Sequence, residues 1–137
     1  MSTNYPHQLE SEFTPHLKSD ETIAALGLFK KDPSTSQLFL TRGIARFAAR
    51  EFHAAVTNQR LIILPIYHVN GEKFSASPLE AAFANSEIDE NIFNEPVLII
   101  HTEALEKPIT LRFKAQMQAL GLDKYDFIAA LKQCQAA

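Results

Sequence analysis

Between Leu61 and Ile66 the chain places five branched aliphatic residues in six positions, broken only by Pro65. Full burial of each such side chain is worth about 1.5–3 kcal/mol. Together they rival the whole net stability of an ordinary domain, about 5–15 kcal/mol. The run is too short to cross a membrane and rich in isoleucine, which marks a strand covered on both faces. Just before it, Phe52, Ala54 and Val56 alternate with His53 and Ala55, the period of a half-buried strand. Thr57-Asn58-Gln59-Arg60 between them has the polar, turn-forming character of a hairpin connection. Whatever else the chain does, it must supply two layers to cover this hairpin.

The rest of the sequence supplies more strands and one clear helix. Residues 1–19 read as an N-terminal extension carrying a short helix, with Leu9, Phe13 and Leu17 spaced for it and Pro15 interrupting it. Thr22 to Lys31 is a core strand that closes in Asp32-Pro33-Ser34. Residues 36–50 have helical spacing, with Leu40, Ile44 and Phe47 on one face and Arg42, Arg46 and Arg50 on another. Gly43 leaves a strand or irregular loop open. Asn70-Gly71 is a strong hairpin signal, and Pro65 is expected at a bulge or an unpaired edge. Ser77 to Ala82 suggests a helical turn and Phe83 to Phe93 an extended segment. Val97 to His101 and Ile109 to Phe113 are strands. A helix from about Asp123 to Gln135 presents Phe127, Ile128, Leu131 and Cys134 as one stripe, with Asp123 able to cap its first turn. About seven strands followed by one amphipathic helix predict a sandwich or barrel whose open end is plugged by that helix.

Three stretches carry a family likeness. They are Glu21-Thr22-Ile23, the segment from Val56 to Ile63 with Thr57-Asn58-Gln59-Arg60-Leu61 at its centre, and Ser77-Pro78-Leu79. With the closing helix they resemble bacterial pleckstrin-homology-like domains, related in shape to GRAM domains, over roughly residues 20–135. Residues 20–137 would form that domain. The resemblance implies a mainly β fold with a C-terminal α-helix, a seven-stranded sandwich or partly open barrel capped by the final helix. It also implies binding or scaffolding in place of catalysis. Two departures stand out: the closely spaced basic residues of phosphoinositide-binding members are missing, since Arg42 lies eleven residues beyond Lys31, and the closing helix has no tryptophan. Phe127 stands where an aromatic plug is needed.

Composition narrows the function. With 46% hydrophobic and 21% charged residues and a formal charge of -3, the chain reads as a folded domain that does not bind nucleic acid. One cysteine, Cys134, and an N-terminus without a basic stretch followed by an apolar one point to the cytoplasm. The five histidines have no local metal-ligand spacing, no Gly-rich phosphate loop occurs, and the carboxylates Glu87, Asp89 and Glu90 stand in a polar segment. No catalytic residue, metal or cofactor is therefore expected. Residues 23–68 carry six Lys or Arg against two acids, and residues 69–107 carry two against eight. The basic set Lys30, Lys31, Arg42, Arg46 and Arg50 is the candidate ligand-binding group, alongside its reading as an ordinary solvated arginine face. Arg60, directly after a turn, is read as structural, bonding loop carbonyls or a nearby acid. Three functions remain: a domain that binds a protein partner, self-association included; weak recognition of anionic lipid headgroups through the basic segment; and a small enzyme on a cone-shaped α+β fold, which would need a deep pocket holding an acid.

Overall fold

A computed structural model describes residues 5–31, 51–69, 71–75, 78–90, 93–101 and 108–136. The segment 36–50, whose conformation the sequence leaves open, lies outside them. Helix α1 (Tyr5–Phe13) leads into a 3₁₀ turn at Thr14–His16. Strands β1 (Ile23–Lys31), β2 (Glu51–Thr57), β3 (Leu61–Val69), β4 (Glu72–Ser75), β5 (Leu79–Ala81), β6 (Ser86–Glu90), β7 (Pro96–Ile100) and β8 (Ile109–Phe113) follow, and α2 (Lys124–Ala136) ends the chain. Among the described residues no helix is long and apolar enough to cross a membrane.

All eight strands join one antiparallel sheet in the order β4-β3-β2-β1-β8-β7-β6, with β5 pairing the same edge of β3 as β4 does. Strands β5 and β6 thus stand at opposite ends of the order, although only residues 82–85 separate them in the chain. Such a link reaches at most about 18 Å. A flat sheet would set these strands about 29 Å apart, at about 4.8 Å per strand. The sheet must curl until its ends approach, and α2 fastens the seam. Gln135 Nε2 donates to the carbonyls of Ser86 at 2.6 Å and Phe83 at 3.0 Å.

Curling creates an inside and an outside, and both are apolar. Phe29, Phe52, Val56, Leu61, Ile63, Leu98, Ile100, Ile109 and Leu111 fill the inside, which Phe127 and Leu131 of α2 complete. Phe127 meets Phe29 and Phe113 edge-on, with ring centroids 5.2 and 5.7 Å apart, so it does serve as the aromatic plug. Gly27 makes room for this trio, since a Cβ there would stand 2.7 Å from Phe29 Cε1 and 3.1 Å from Phe127 Cδ2. On the outside, Leu9 and Phe13 of α1 cover Leu28, Ala55, Ile62, Leu64 and Ile66, joined by Met117 and Leu122. Strand β3 is therefore covered on both faces, with Leu61 and Ile63 inward and Ile62, Leu64 and Ile66 under α1.

Several expectations hold in detail. Thr14–His16 is the interruption at Pro15, and Gly71 has φ +83° in the β3–β4 hairpin. Asp123 Oδ1 accepts the Tyr125 N–H at 2.8 Å, capping α2. Residues Leu64 and Pro65 fall in the gap between the partners of β5 and those of β4 on the outer edge of β3, a place that tolerates proline.

Others need correction. Strand β2 is buried on both faces, because its His53 and Ala55 lie toward α1. Leu79–Ala81 is a strand, not a helical turn: pairing with Leu61 to Ile63 and burial of Ala81 outweigh the local Ser-Pro signal. Phe83–Asn85 is a 3₁₀ turn, and among the described residues that follow it Ser86–Glu90 is the strand. Strand β1 is the core strand expected there, and its register shifts between Ile23 and Ala25, a bulge that puts Ile23 and Leu26 on the same outer cluster.

Ile63 is 1% exposed on the inner face. Replacing it with aspartate would bury an unpaired carboxylate in this core, a loss of several kcal/mol by desolvation alone. Ile63→Asp is expected to yield no folded protein by circular dichroism, whereas Ile63→Val lowers stability by about 1 kcal/mol in urea titration. A folded Ile63→Asp protein with unchanged melting would contradict this placement.

Candidate functional site

Of the basic set picked out by sequence, Arg42, Arg46 and Arg50 lie outside the described residues. Lys30 is exposed near the end of β1, opposite Glu51 of β2 and Arg112 of β8, and Lys31 is half-buried beside it. Successive strand residues project to opposite faces, so the two lysines leave the sheet on different sides.

The turn word Thr57-Asn58-Gln59-Arg60 is taken up by the fold itself. Arg60 grips the buried Glu21 with two parallel bonds, Nε to Oε2 and Nη2 to Oε1, each 2.9 Å. Its Nη1 meets Glu80 at 2.6 Å and its Nη2 donates to the His16 carbonyl at 2.8 Å. Thr57 donates to Glu21 Oε2 at 2.6 Å, and its hydroxyl oxygen accepts the N–H groups of Gln59 and Arg60. Glu21 Oε1 also accepts the Lys18 N–H at 3.0 Å. Asn58 bridges to the chain ahead of β1, accepting the Thr22 N–H and donating to the Asp20 carbonyl. The side chains of Thr57, Asn58 and Arg60 each have a structural task, and Arg60 is the structural arginine that the sequence suggests.

A second polar group fastens α1. Glu12 receives His53 Nδ1–H and Lys73 Nζ, both at 2.7 Å. Burial pushes the Glu12 carboxyl up, but the bonds from His53 and Lys73 outweigh it and hold the group below its ordinary value. His101 stands elsewhere, 3.7 Å from Glu87.

A cleft of about 390 Å³ lies where the chain leaves β8 and enters α2. After Phe113 the backbone winds through a six-residue 3₁₀ segment, Ala115–Leu120, and turns at Gly121 with φ +85°. The Leu122 N–H then returns to the Met117 carbonyl at 2.8 Å. That return sets Phe113, Met117 and Leu122 as an apolar floor, walled by Glu95, Lys114, Asp123, Lys124 and Tyr125. Its charges are largely committed. Lys114 pairs with Glu51 at 3.2 Å, Glu95 with Arg112 at 3.4 Å, and Asp123 caps α2. Tyr125 is 65% exposed on the rim, and Phe93, two residues before Glu95 in the chain, is 70% exposed. Sequence reasoning did not find this site. Residues 115–122 show neither strand nor helix periodicity, and the available signal was two large aromatics at otherwise polar positions.

No family model matches this sequence, and no curated protein matches it. Among solved structures the fold is similar to "The hSac2 domain from human phosphoinositide phosphatase Sac2". The TM-score is 0.52 and the identity 16%, over 96% of this chain and 80% of that one. At that identity the likeness is one of fold: a mainly β, curled antiparallel sheet closed by a C-terminal helix.

The Glu21–Arg60 pair makes stability depend on pH. The bonds from Arg60, with help from Thr57 and Lys18, hold the Glu21 carboxyl at about 2 against an ordinary 4.5, despite burial. Because the folded value is the lower one, this stabilisation is complete above about pH 5 and is lost as pH falls toward 2. Glu21→Gln is expected to cost about 3–5 kcal/mol at pH 7, as removal of one partner of a buried pair does. Urea titrations should show the gap from the parent closing as pH drops below about 5. A gap that is the same at every pH would contradict the ionised pair.

Proposed function

We propose that this chain is a non-catalytic interaction domain that binds a protein partner, self-association included, and that the cleft at the start of α2 is its binding surface. The observation that supports this most is the exposed Tyr125 on the rim of an apolar-floored cleft, with a second exposed aromatic, Phe93, near the Glu95 wall in sequence. Aromatic side chains beside a desolvated pocket are the usual anchors of protein interfaces. The Thr57 to Leu61 word in its hairpin, the curled sheet and the closing helix support a pleckstrin-homology-like reading of the domain, GRAM-like in outline. Packing of the concave side with Phe29, Phe52, Phe113 and Phe127 favours a surface site over the interior pocket that the cone-shaped enzyme reading requires.

The fold neighbour is a domain from a phosphoinositide phosphatase, which keeps the anionic-lipid alternative in view through Lys30 and Lys31. The two readings predict different surfaces. On adding a random heptapeptide pool, amide and methyl NMR signals of Met117, Leu122 and Tyr125 are expected to shift, while those of β6 and β7 stay put. No response at the cleft, together with shifts at Lys30 and Lys31 when anionic vesicles are added, would replace the first reading with the second.

A further inference from the structure

Strand β1 has a bare stretch of edge in the middle of the sheet. Its pairing with β8 runs from Phe29 to Lys31, and the Leu28 carbonyl takes one further bond on that side, from the Lys114 N–H at 2.9 Å. After Lys114 the chain turns away into the 3₁₀ segment. In an antiparallel strand alternate residues turn their N–H and C=O to the same side. Leu26 therefore addresses the side that Leu28 and Lys30 address, and among the described residues no backbone group pairs with it there. Ala24, at the bulge, has no partner across β2 and is exposed.

A hollow of about 380 Å³ runs beside this edge, bordered by Ile23, Ala24, Ala25 and Leu26. Pro6, His7 and Glu10 of α1, the Gly121 turn and Asp126 of α2 form its other walls. At about 3.3 Å per residue, the four β1 positions offer room for three or four residues of an extended chain. The walls hold three acids, Glu10, Asp123 and Asp126, and no lysine or arginine; their basic group is His7, 3.9 Å from Glu10. The outermost strand, β6, is treated differently. Gln135 takes its Ser86 carbonyl, Asp89 takes the Glu90 N–H at 2.8 Å, and Glu87, Asp89 and Glu90 are exposed along it. Blocking and charge of this kind keep a native edge from pairing with another chain. Residues 23–26 carry neither charge nor proline.

We propose that this edge receives an extended, cationic segment of a partner polypeptide, laid beside residues 23–26 where β8 does not reach. Main-chain bonds to Leu26 supply affinity, as in strand addition generally, and a lysine or arginine of the segment meets Glu10 and Asp126. A second copy of this chain fits poorly, because its outermost strand would bring Glu87, Asp89 and Glu90 against walls of the same sign. The site is distinct from the cleft floored by Met117, although Leu122 and Asp123 border both.

The probes are two pools of fluorescein-labelled, C-terminally amidated hexapeptides of Val, Ile and Thr, one pool carrying a single lysine and the other a single glutamate. In fluorescence anisotropy at low salt the lysine pool should bind at least about tenfold more tightly, since the exchange gains attraction and removes repulsion. The double variant Glu10→Gln, Asp126→Asn, shown by its urea midpoint to fold, should bring the lysine pool down to the level of the glutamate pool. Amide hydrogen exchange on the parent alone should find Leu26 fast and Gly27 and Phe29 slow, and the lysine pool should slow Leu26. Equal binding of the two pools to the parent would overturn the cationic occupant, and binding of neither would overturn strand addition. Binding that protects Met117 and Tyr125 but not Leu26 would assign the peptide to the other cleft and overturn this site. A Leu26 amide already slow in the parent alone would show the edge to be covered, by a second copy if dilution speeds it and by this chain itself if dilution does not, and either result overturns the proposal.

Discussion

One buried carboxylate, Glu21, holds together parts of the chain that the sheet alone does not join. Through Arg60 and Thr57 it locks the approach to β1 onto the β2–β3 turn, and Arg60 extends the same contact to Glu80 on β5 and to the His16 carbonyl after α1. A buried ion pair is no free gain, because desolvating two charges opposes their attraction. Here the cost is met by geometry: both carboxylate oxygens are saturated by two guanidinium bonds, a hydroxyl and a backbone N–H. The consequence is positional. With the turn ahead of β1 fixed, α1 is delivered onto the outer face of β1–β3, where Glu12 ties it to His53 and Lys73. The clamp and the second core therefore depend on each other.

From that arrangement the remaining architecture follows. A hairpin apolar on both faces requires two covers, and the chain provides α1 outside and α2 inside. The short β5–β6 link forces the curl that lets a single helix close the interior. The return of the chain from β8 to α2, needed to bring Phe127 over Phe29, passes through the turn that forms the cleft. The proposed binding surface is thus a by-product of how the barrel is plugged, and its floor residues Met117 and Leu122 belong to the outer core. A surface built on core side chains is rigid, which lowers the ordering cost of binding.

The sequence made the hairpin legible because burial on both faces leaves an unmistakable aliphatic run, and it made α2 legible because Asp123, Gly121 and the Phe127–Leu131 stripe agree. Leu79–Ala81 was misread for the opposite reason: three residues carry too little periodicity to resist a Ser-Pro helix signal, and only the partner strand β3 decides the matter. The two-sided burial of β2 was hidden because His53 reads as a surface residue until Glu12 is brought to it from forty-one positions away. The cleft was invisible for a related reason. Its walls come from Glu95, the 3₁₀ segment and the first turn of α2, and no local pattern connects them. The basic set called out by composition contributes Lys30 and Lys31 to opposite faces of β1, with its three arginines outside the described residues.

The central claim is that Arg60 and Glu21 act as one internal clamp, which makes the Thr57–Arg60 word a fold determinant. A double-mutant cycle in urea at pH 7 on Glu21→Gln, Arg60→Gln and the pair measures this directly. The account predicts that the double replacement costs less than the sum of the single ones by roughly 2 kcal/mol, within the range seen for residues in direct contact. Additive losses, or an Arg60→Gln protein as stable as the parent, would contradict it.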